Sequence, residues 1–597
     1  MDRMLQTLCR PSWWVGPIFD KELRVSSRRR RNYALRFGYL VSLTALIALV
    51  WVSAVDLRGG SLAVQQARMA EAGKVIITGI ILFQFVATQC IAVIMLSTSI
   101  SDEIYHRTLG VLMTTPINSF QIVMGKLFSK LLQLLVLLAI SLPLLAIVRV
   151  LGGVPWGFIG SSLCITLTAI LFAGSLSLLF SISGRKSYAV ILTTMLTLVV
   201  LYAFVPGTLF WFLYYTRLQA LLLPLTTLLN PLITMFLNTE TIFQSGLLRQ
   251  LPFFDLLWPI HCLLMLLASA FVLAWSIWIV RRVASREAVG APATGWRWLL
   301  GRGSRPNGSS APAEEEPIRE VIGSPILWKE LRAPFIQGSR RENLAGLVVS
   351  VAALGFTYWM GYRDDLLRED NTHMSYVTIF VSMGLMCHLV LAATTFTIEK
   401  ERRSWPLLLA TTLDDVAIVW GKAVGVVRRC LPVWAFLAAH VLLFILAGYI
   451  HPVAVVHVAL IALWIIVFLT GSGLYFSALF RRTTTAVVAN MALAALLWFL
   501  APVVLGLFAE GGQRAGGFLM AYLRAHPLVQ TSIVMRGDGG DVNATASLGQ
   551  LRYFWPDRSG TGVLETTGIL ALHALAYSAV GVLFGWRAKC RLRKGIF

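Results

Sequence analysis

Long runs of apolar side chains, broken only by short charged stretches, recur from one end of this 597-residue chain to the other. A bilayer core about 30 Å thick takes about 20 apolar residues as one helix, and only helices or closed barrels satisfy every backbone group inside it. Read with a window of ~19 residues, the first half gives spans at 37–55, 76–98, 127–148, 158–182, 188–206 and 258–280. The second gives 344–361, 376–396, 430–449, 454–479, 485–508 and 564–585. The predicted fold is an all-α polytopic membrane protein with about 12 transmembrane helices. With 13% charged residues, 57% apolar residues and a mean hydropathy of +0.73, a soluble globular enzyme is excluded, as is a disordered basic tail. The first run follows Arg36 without a small-residue cleavage site, so it is expected to be a retained span.

The formal net charge of +22 invites a nucleic-acid reading, but its distribution argues otherwise. With both termini cytoplasmic, the predicted topology puts 38 Lys and Arg inside and 13 outside, and 16 Asp and Glu inside and 13 outside. The excess lies wholly on one side, as the positive-inside rule requires, and no nucleic-acid partner is expected. Residues 218–237 are long enough to cross, but a crossing would carry Arg281 and Arg282 to the far side, and Pro224 and Pro231 break the helix. They are expected to form an external or re-entrant element.

The chain is a duplicated half. GPIFDKELR (16–24) returns as SPILWKELR (324–332), and TTPINSFQIVMGK (114–126) returns, one residue shorter, as TTLDDVAIVWGK (411–422). FAGSLSLLFSISGRKSYAV (172–190) pairs without gaps with LTGSGLYFSALFRRTTTAV (469–487). Each block keeps its place among the spans, so the halves are expected to be two parallel six-helix repeats, related by a pseudo-two-fold along the membrane normal with a pathway between them. The first half covers 1–283, with an interface helix at 16–31, a coupling segment at 99–126 and an external loop at 207–257. A Gly-, Pro- and Ser-rich flexible cytoplasmic linker covers 284–322. The second half covers 323–597, with an interface helix at 324–340, a coupling segment at 397–422 and an external loop at 509–563.

Chemistry is sparse. Asp and Glu are nearly absent from the spans, with Glu565 alone at the edge of the last, which weakens an ion-driven mechanism. His261, His388, His440, His457 and His573 read as polar packing residues, and the seven Cys read as small apolar fillers without metal spacing. The Gly-Lys pairs at 73–74, 125–126 and 421–422 lack the first glycine of a phosphate-binding loop. The chain is therefore expected to be non-catalytic, with no cofactor or metal of its own.

The informative parts are the segments expected in the cytoplasm. At 100° per residue, Ile18, Phe19, Leu23 and Val25 form one apolar arc, and Ile326, Leu327, Leu331 and Ala333 repeat it. Both segments read as helices lying at the membrane surface. Glu22 and Glu330 fall inside these arcs, where a carboxylate needs a cationic or amide partner. Between spans two and three each half carries a charged cluster, a short apolar helix, Thr-Thr, a break and Gly-Lys. Asp414 and Asp415 are placed to cap the helix after the second break.

In these segments the chain resembles the permease subunits of type-2 ATP-binding-cassette (ABC) exporters. PIFDKELR and PILWKELR match the interface helix, SDEIYHRTLGVLMTTPI the coupling helix, and LFRRTTTAV the short basic loop before span five. The second coupling segment departs from the pattern, with Pro406 and Leu413 in place of Leu109 and Pro116. The resemblance implies a multi-pass permease of the bacterial cytoplasmic (inner) membrane, driven by ATP and Mg held in two copies of a separate cytoplasmic ABC ATPase subunit. It further implies external helices in the long loop before each last span. Asp102, Glu103, Arg107, Thr114 and Thr115, with Glu399, Glu401, Arg402, Thr411 and Thr412, are then the expected ATPase-facing residues, and membrane lipid a further partner. Two other readings stay open: a membrane scaffold of a secretion or envelope machine using the same ATPase contact, and an ion-coupled secondary transporter.

Overall fold

The computed structural model describes residues 16–27, 30–54, 62–105, 108–183, 187–214, 221–243, 254–288, 321, 323–332, 340–502, 505, 513–537, 547–556 and 558–594. Arg107 and nearly all of the predicted linker lie outside them. The chain divides into two compact units, whose main stretches are Met1–Ala293 and Thr294–Pro502 with Leu519–Phe597.

The architecture is almost wholly helical. Eleven helices among the described residues are long and apolar enough to cross a membrane. The helix Arg30–Ala54 covers the first predicted span. The described part of 218–237 does not form a straight span: Leu222–Leu229 and Pro231–Phe243 meet at Asn230 in a helical hairpin bent by 111°. The second half holds Gln513–Leu523 and Pro527–Met535 before its last span, followed by a two-stranded ribbon pairing Tyr553–Trp555 with Arg558–Thr561. The five histidines read as packing residues each bond to a neighbouring element, as in His440 Nδ1 to the Tyr358 hydroxyl at 2.7 Å and His261 Nδ1 to the Leu228 carbonyl at 2.9 Å.

Hydrogen bonds fix how the halves correspond, and they correct the sequence pairing by one residue. Ser181 Oγ accepts from the amides of Ile100 and Ser101 at 3.0 and 2.9 Å. Ser477 Oγ accepts from Phe396 and Thr397 at 2.8 and 3.0 Å. Both clamps lie 296 positions apart in the numbering, so Ser181 matches Ser477, not the Ala478 that the gapless pairing gives. The same spacing relates the short helices Leu109–Met113 and Trp405–Leu409 between spans two and three, here called loop helices. The missing residue between 114–126 and 411–422 is therefore not a deletion. Trp405, not Pro406, stands at the place of Leu109, and Thr412, not Leu413, at that of Pro116. Matching by letters followed the Thr-Thr and Gly-Ser pairs, whereas the backbone follows the register of its hydrogen bonds.

The correspondence continues through span five. Each copy carries one π-helical turn, Val200–Phe204 and Leu496–Leu500, again 296 apart. Proline explains it: Pro206 and Pro502 have no N–H to give the carbonyl four residues before. The freed Tyr202 carbonyl accepts from Asn230 Nδ2 at 2.7 Å, and the freed Trp498 carbonyl accepts from His526 Nε2 at 3.0 Å. Asn230 and His526 each precede the proline that opens the next helix, and each also accepts from that helix's first turn. One polar side chain thus satisfies the break in span five and starts the element after it.

Candidate functional site

Each half ends span two in a short turn leading to its loop helix. Thr108 and Ser404 occupy the position before these helices. Each hydroxyl donates back to the carboxylate Oε2 five residues earlier, Thr108 to Glu103 and Ser404 to Glu399. Each amide bonds the same glutamate's carbonyl, at 2.9 and 3.0 Å. The turn closes on the glutamate, which fixes how the loop helix leaves the span.

The other oxygen of that glutamate faces span three. Glu103 Oε1 accepts from Lys126 Nζ at 2.8 Å, and Glu399 Oε1 accepts from Lys422 Nζ at 3.1 Å. The same ammonium groups reach the interface helices Pro17–Ser27 and Pro325–Arg332: Lys126 lies 3.4 Å from Glu22 and Lys422 2.7 Å from Glu330. A continuous polar line therefore runs from interface helix to span three to span two to loop helix, once in each half. Ile18 and Ile326 bury beside the two carboxylates on the apolar arc read from the sequence.

The second carboxylate oxygen is satisfied differently in the two halves. Glu22 Oε2 takes Lys130, one turn beyond Lys126, at 3.4 Å. Glu330 Oε2 takes Arg429 Nη2 at 3.1 Å, two turns beyond Lys422, and Arg428 Nη1 donates to the Glu330 carbonyl at 3.2 Å. Burial raises the Glu22 pKa, but the Lys130 and Lys126 charges and hydrogen bonds outweigh it, so the carboxyl titrates below its ordinary value.

Of the other residues singled out from sequence, Asp102, Thr114, Thr115, Arg402, Thr411 and Thr412 are exposed. The hydroxyls of Thr114 and Thr411 turn back to the carbonyls of Val111 and Leu408, at 2.8 and 2.6 Å. Glu401 is exposed, yet both its oxygens serve span five, accepting from the Thr483 amide and hydroxyl at 2.8 Å each. A carboxylate at that helix start also meets the positive end of the helix dipole. Asp414 occupies the cap position without a side-chain cap bond, and Asp415 in the first turn pairs with Arg593 at 2.9 Å.

Sequence reading passed over the residues at the tips. Each loop helix is rooted by buried side chains, Leu109 in the first and Trp405 with Leu409 in the second, and presents an apolar one outward. Val111 is 64% exposed and its counterpart Leu407 73% exposed. Phe120 and Val416, also counterparts, stand exposed at the start of span three. The signal for them was the repeated loop pattern itself, taken in the structural register rather than by its charges.

The spans, their repeated clamps and the wired loop helices define a polytopic α-helical membrane protein of duplicated build. Residues 17–283 match the family model for the ABC-2 family transporter protein, so the first half of the chain is similar to an ABC-2 type permease domain. No curated protein and no solved structure matches the chain at a significant level.

Proposed function

We propose that this chain is the membrane-spanning permease of an ABC-type exporter, two halves fused in one chain, driven by ATP hydrolysed in separate nucleotide-binding subunits. The observation that supports this reading most is the recurrence, in both halves, of an exposed apolar tip on a helix wired to span three and the interface helix. An exposed aliphatic side chain on a short, rooted helix is apolar surface for a partner to cover. ATP binding draws two such partners together, and each loop helix moves with the subunit that holds it. Because Glu103 and Glu399 tie the loop helix to Lys126 and Lys422, the displacement reaches spans two and three and the interface helix as one body. The spans then open a path to the far side, and hydrolysis resets it. The chain sits in the bacterial inner membrane with both termini in the cytoplasm, and ATP and Mg belong to the partner.

The test replaces the tips and leaves the charged line intact. Val111→Asp with Leu407→Asp should abolish co-purification of ATP-hydrolysing subunits while the chain stays in the membrane. Undiminished co-purification would overturn the docking assignment. Inverted vesicles carrying the intact complex should accumulate substrate on ATP addition, and uptake by right-side-out vesicles instead would overturn export.

A further inference from the structure

The last span, Val563–Arg591, shows one face outward along most of its length. Leu572, Leu575, Val582, Leu583 and Trp586 are all exposed. At 100° per residue they fall within one arc of about 100°, so they form a continuous apolar stripe. From Leu572 to Leu583 the stripe runs about 17 Å, close to the ~15 Å that one leaflet gives to the hydrocarbon core. Trp586 follows at the level where an indole anchors among headgroups.

Beyond Trp586 the helix turns cationic. Arg587, Lys589, Arg591, Arg593 and Lys594 follow, and the chain carries no Asp or Glu after Glu565. Arg593 is answered by Asp415 at 2.9 Å. That pair also fixes the side of the membrane, because Asp415 opens span three directly after the second loop helix. The basic end therefore lies on the face that carries the loop helices. Arg587 and Arg591 are exposed and bear on rings instead of carboxylates. Arg587 Cζ lies 5.7 Å from the centre of the Trp586 ring, and Arg591 Cζ 5.8 Å from that of Tyr475. A ring face orients a guanidinium without neutralising its charge. The two arginines stand four residues apart, as neighbours on one side of the helix, and their planar forks match the oxygens of a phosphate.

The duplication supplies an internal control. Tyr475 stands 296 positions beyond Leu179, so the first half has no ring at that place. The last span of that half ends on Arg281 and Arg282, with Glu287 following. Its Arg282 rests on Trp278, 3.5 Å from the ring centre. The pair of ring-held arginines one turn apart belongs to the second half.

We propose that this end of the last span binds one anionic glycerophospholipid of the adjoining leaflet, its phosphate held between Arg587 and Arg591 and an acyl chain laid along the stripe from Leu583 to Leu572. The uncompensated charge selects an anionic headgroup, and Lys594 adds to the attraction. The unbroken passage from cations through Trp586 to aliphatic side chains selects a lipid, since a soluble anion would use the arginines and leave the stripe uncovered. The site rests on the second half alone and is independent of any ATPase partner.

The full chain in phosphatidylcholine nanodiscs, with a trace of phospholipid carrying a diazirine near its glycerol, tests this by photolysis and peptide mass mapping. The probe is used with either a phosphoglycerol or a phosphocholine headgroup. Adducts of the phosphoglycerol probe on residues 582–594 should exceed those of the phosphocholine probe at least about fivefold, the worth of one basic residue beside an anionic surface. Equal labelling by the two headgroups would overturn the site. Arg587→Gln with Arg591→Gln should remove the preference at an unchanged elution profile, and a preference left intact would overturn the assignment to these residues. Arg587→Lys with Arg591→Lys keeps the charge and should retain it; loss in both pairs alike would overturn the electrostatic basis. Tyr475→Leu should weaken the preference by about two- to fivefold, and no change would overturn the role of the ring. Inorganic phosphate at millimolar concentration and constant ionic strength should leave the labelling as it is, and displacement of the probe would overturn the lipid in favour of a soluble anion.

Discussion

The two charged lines are copies of one design that settled at different depths. In the second half Glu330 keeps 7% of its side chain exposed, and in the first Glu22 keeps 23%. The shorter ion pair belongs to the deeper carboxylate, at 2.7 against 3.4 Å. Span three differs at the contact. A Cβ placed on Gly425 would lie 2.7 Å from Glu330 Cβ, so the interface helix rests directly against the backbone there. The first half has Ser129 at that place, a buried side chain bonded to the Lys126 carbonyl at 2.9 Å. The cation differs for a reason of sequence: Gln133 stands at the place of Arg429, and the glutamate takes Lys130, where the second half has Val426. The second half adds two further ties. Lys400 donates to the Ser477 and Phe480 carbonyls at 2.9 and 3.0 Å, and Glu401 holds Thr483. Ile104 and Tyr105 stand at those places in the first half. Duplication preserved the line while letting one copy become the more rigidly tied, which makes the two loop helices unequal.

The comparison breaks most sharply at the carboxylates. Glu330→Ala leaves Lys422 and Arg429 buried without their shared anion, and should cost about 3–5 kcal/mol. Glu22→Ala, on the more solvated line, should cost roughly 1 kcal/mol. Thermal unfolding of the purified chain in detergent should show the larger fall in midpoint for Glu330→Ala, and equal falls would refute the difference in depth. Gly425→Ala comes next, at about 1–3 kcal/mol from overpacking. Ser129→Ala should lose less than 1 kcal/mol, one hydrogen bond from a side chain already accommodated. Gly425→Ala tolerated without a change in midpoint would show that span three does not set the depth.

The smallest effect is the pH dependence of the first line. Because Glu22 titrates below its ordinary value when folded, its contribution is present above the unfolded carboxylate value and is lost as pH falls through the lowered one. The gap in midpoint between wild type and Glu22→Gln should therefore be constant near neutral pH and close in acid. A gap that widened in acid would have the wrong sign for a carboxylate held ionised by Lys130 and Lys126.

Much of this was legible in the letters because it depends on local sums. Spans follow from hydropathy over a helix length, and the break at Asn230 follows from Pro231, whereas Pro224 sits in the first turn of Leu222–Leu229 and breaks nothing. The misplaced carboxylates Glu22 and Glu330 were visible from helical phase alone. The register of the repeat was not legible, because Ser181 and Ser477 are set by amides about 80 positions away. Gly-Lys at 125–126 and 421–422 registered only as a failed phosphate loop, since nothing local says that the lysine bridges two helices.

By itself, the sequence determined the class of protein, the duplication, the surface helices and the need for partners at two buried glutamates, all properties of composition and periodicity along one chain. Only the tertiary structure decided which cations answer them, how closely each interface helix approaches span three, which side chains tip the loop helices, and where a ring meets an arginine. Those outcomes depend on distances between residues about 30 to 120 positions apart, set by which side chain, Gly or Ser, Tyr or Leu, meets a neighbouring helix.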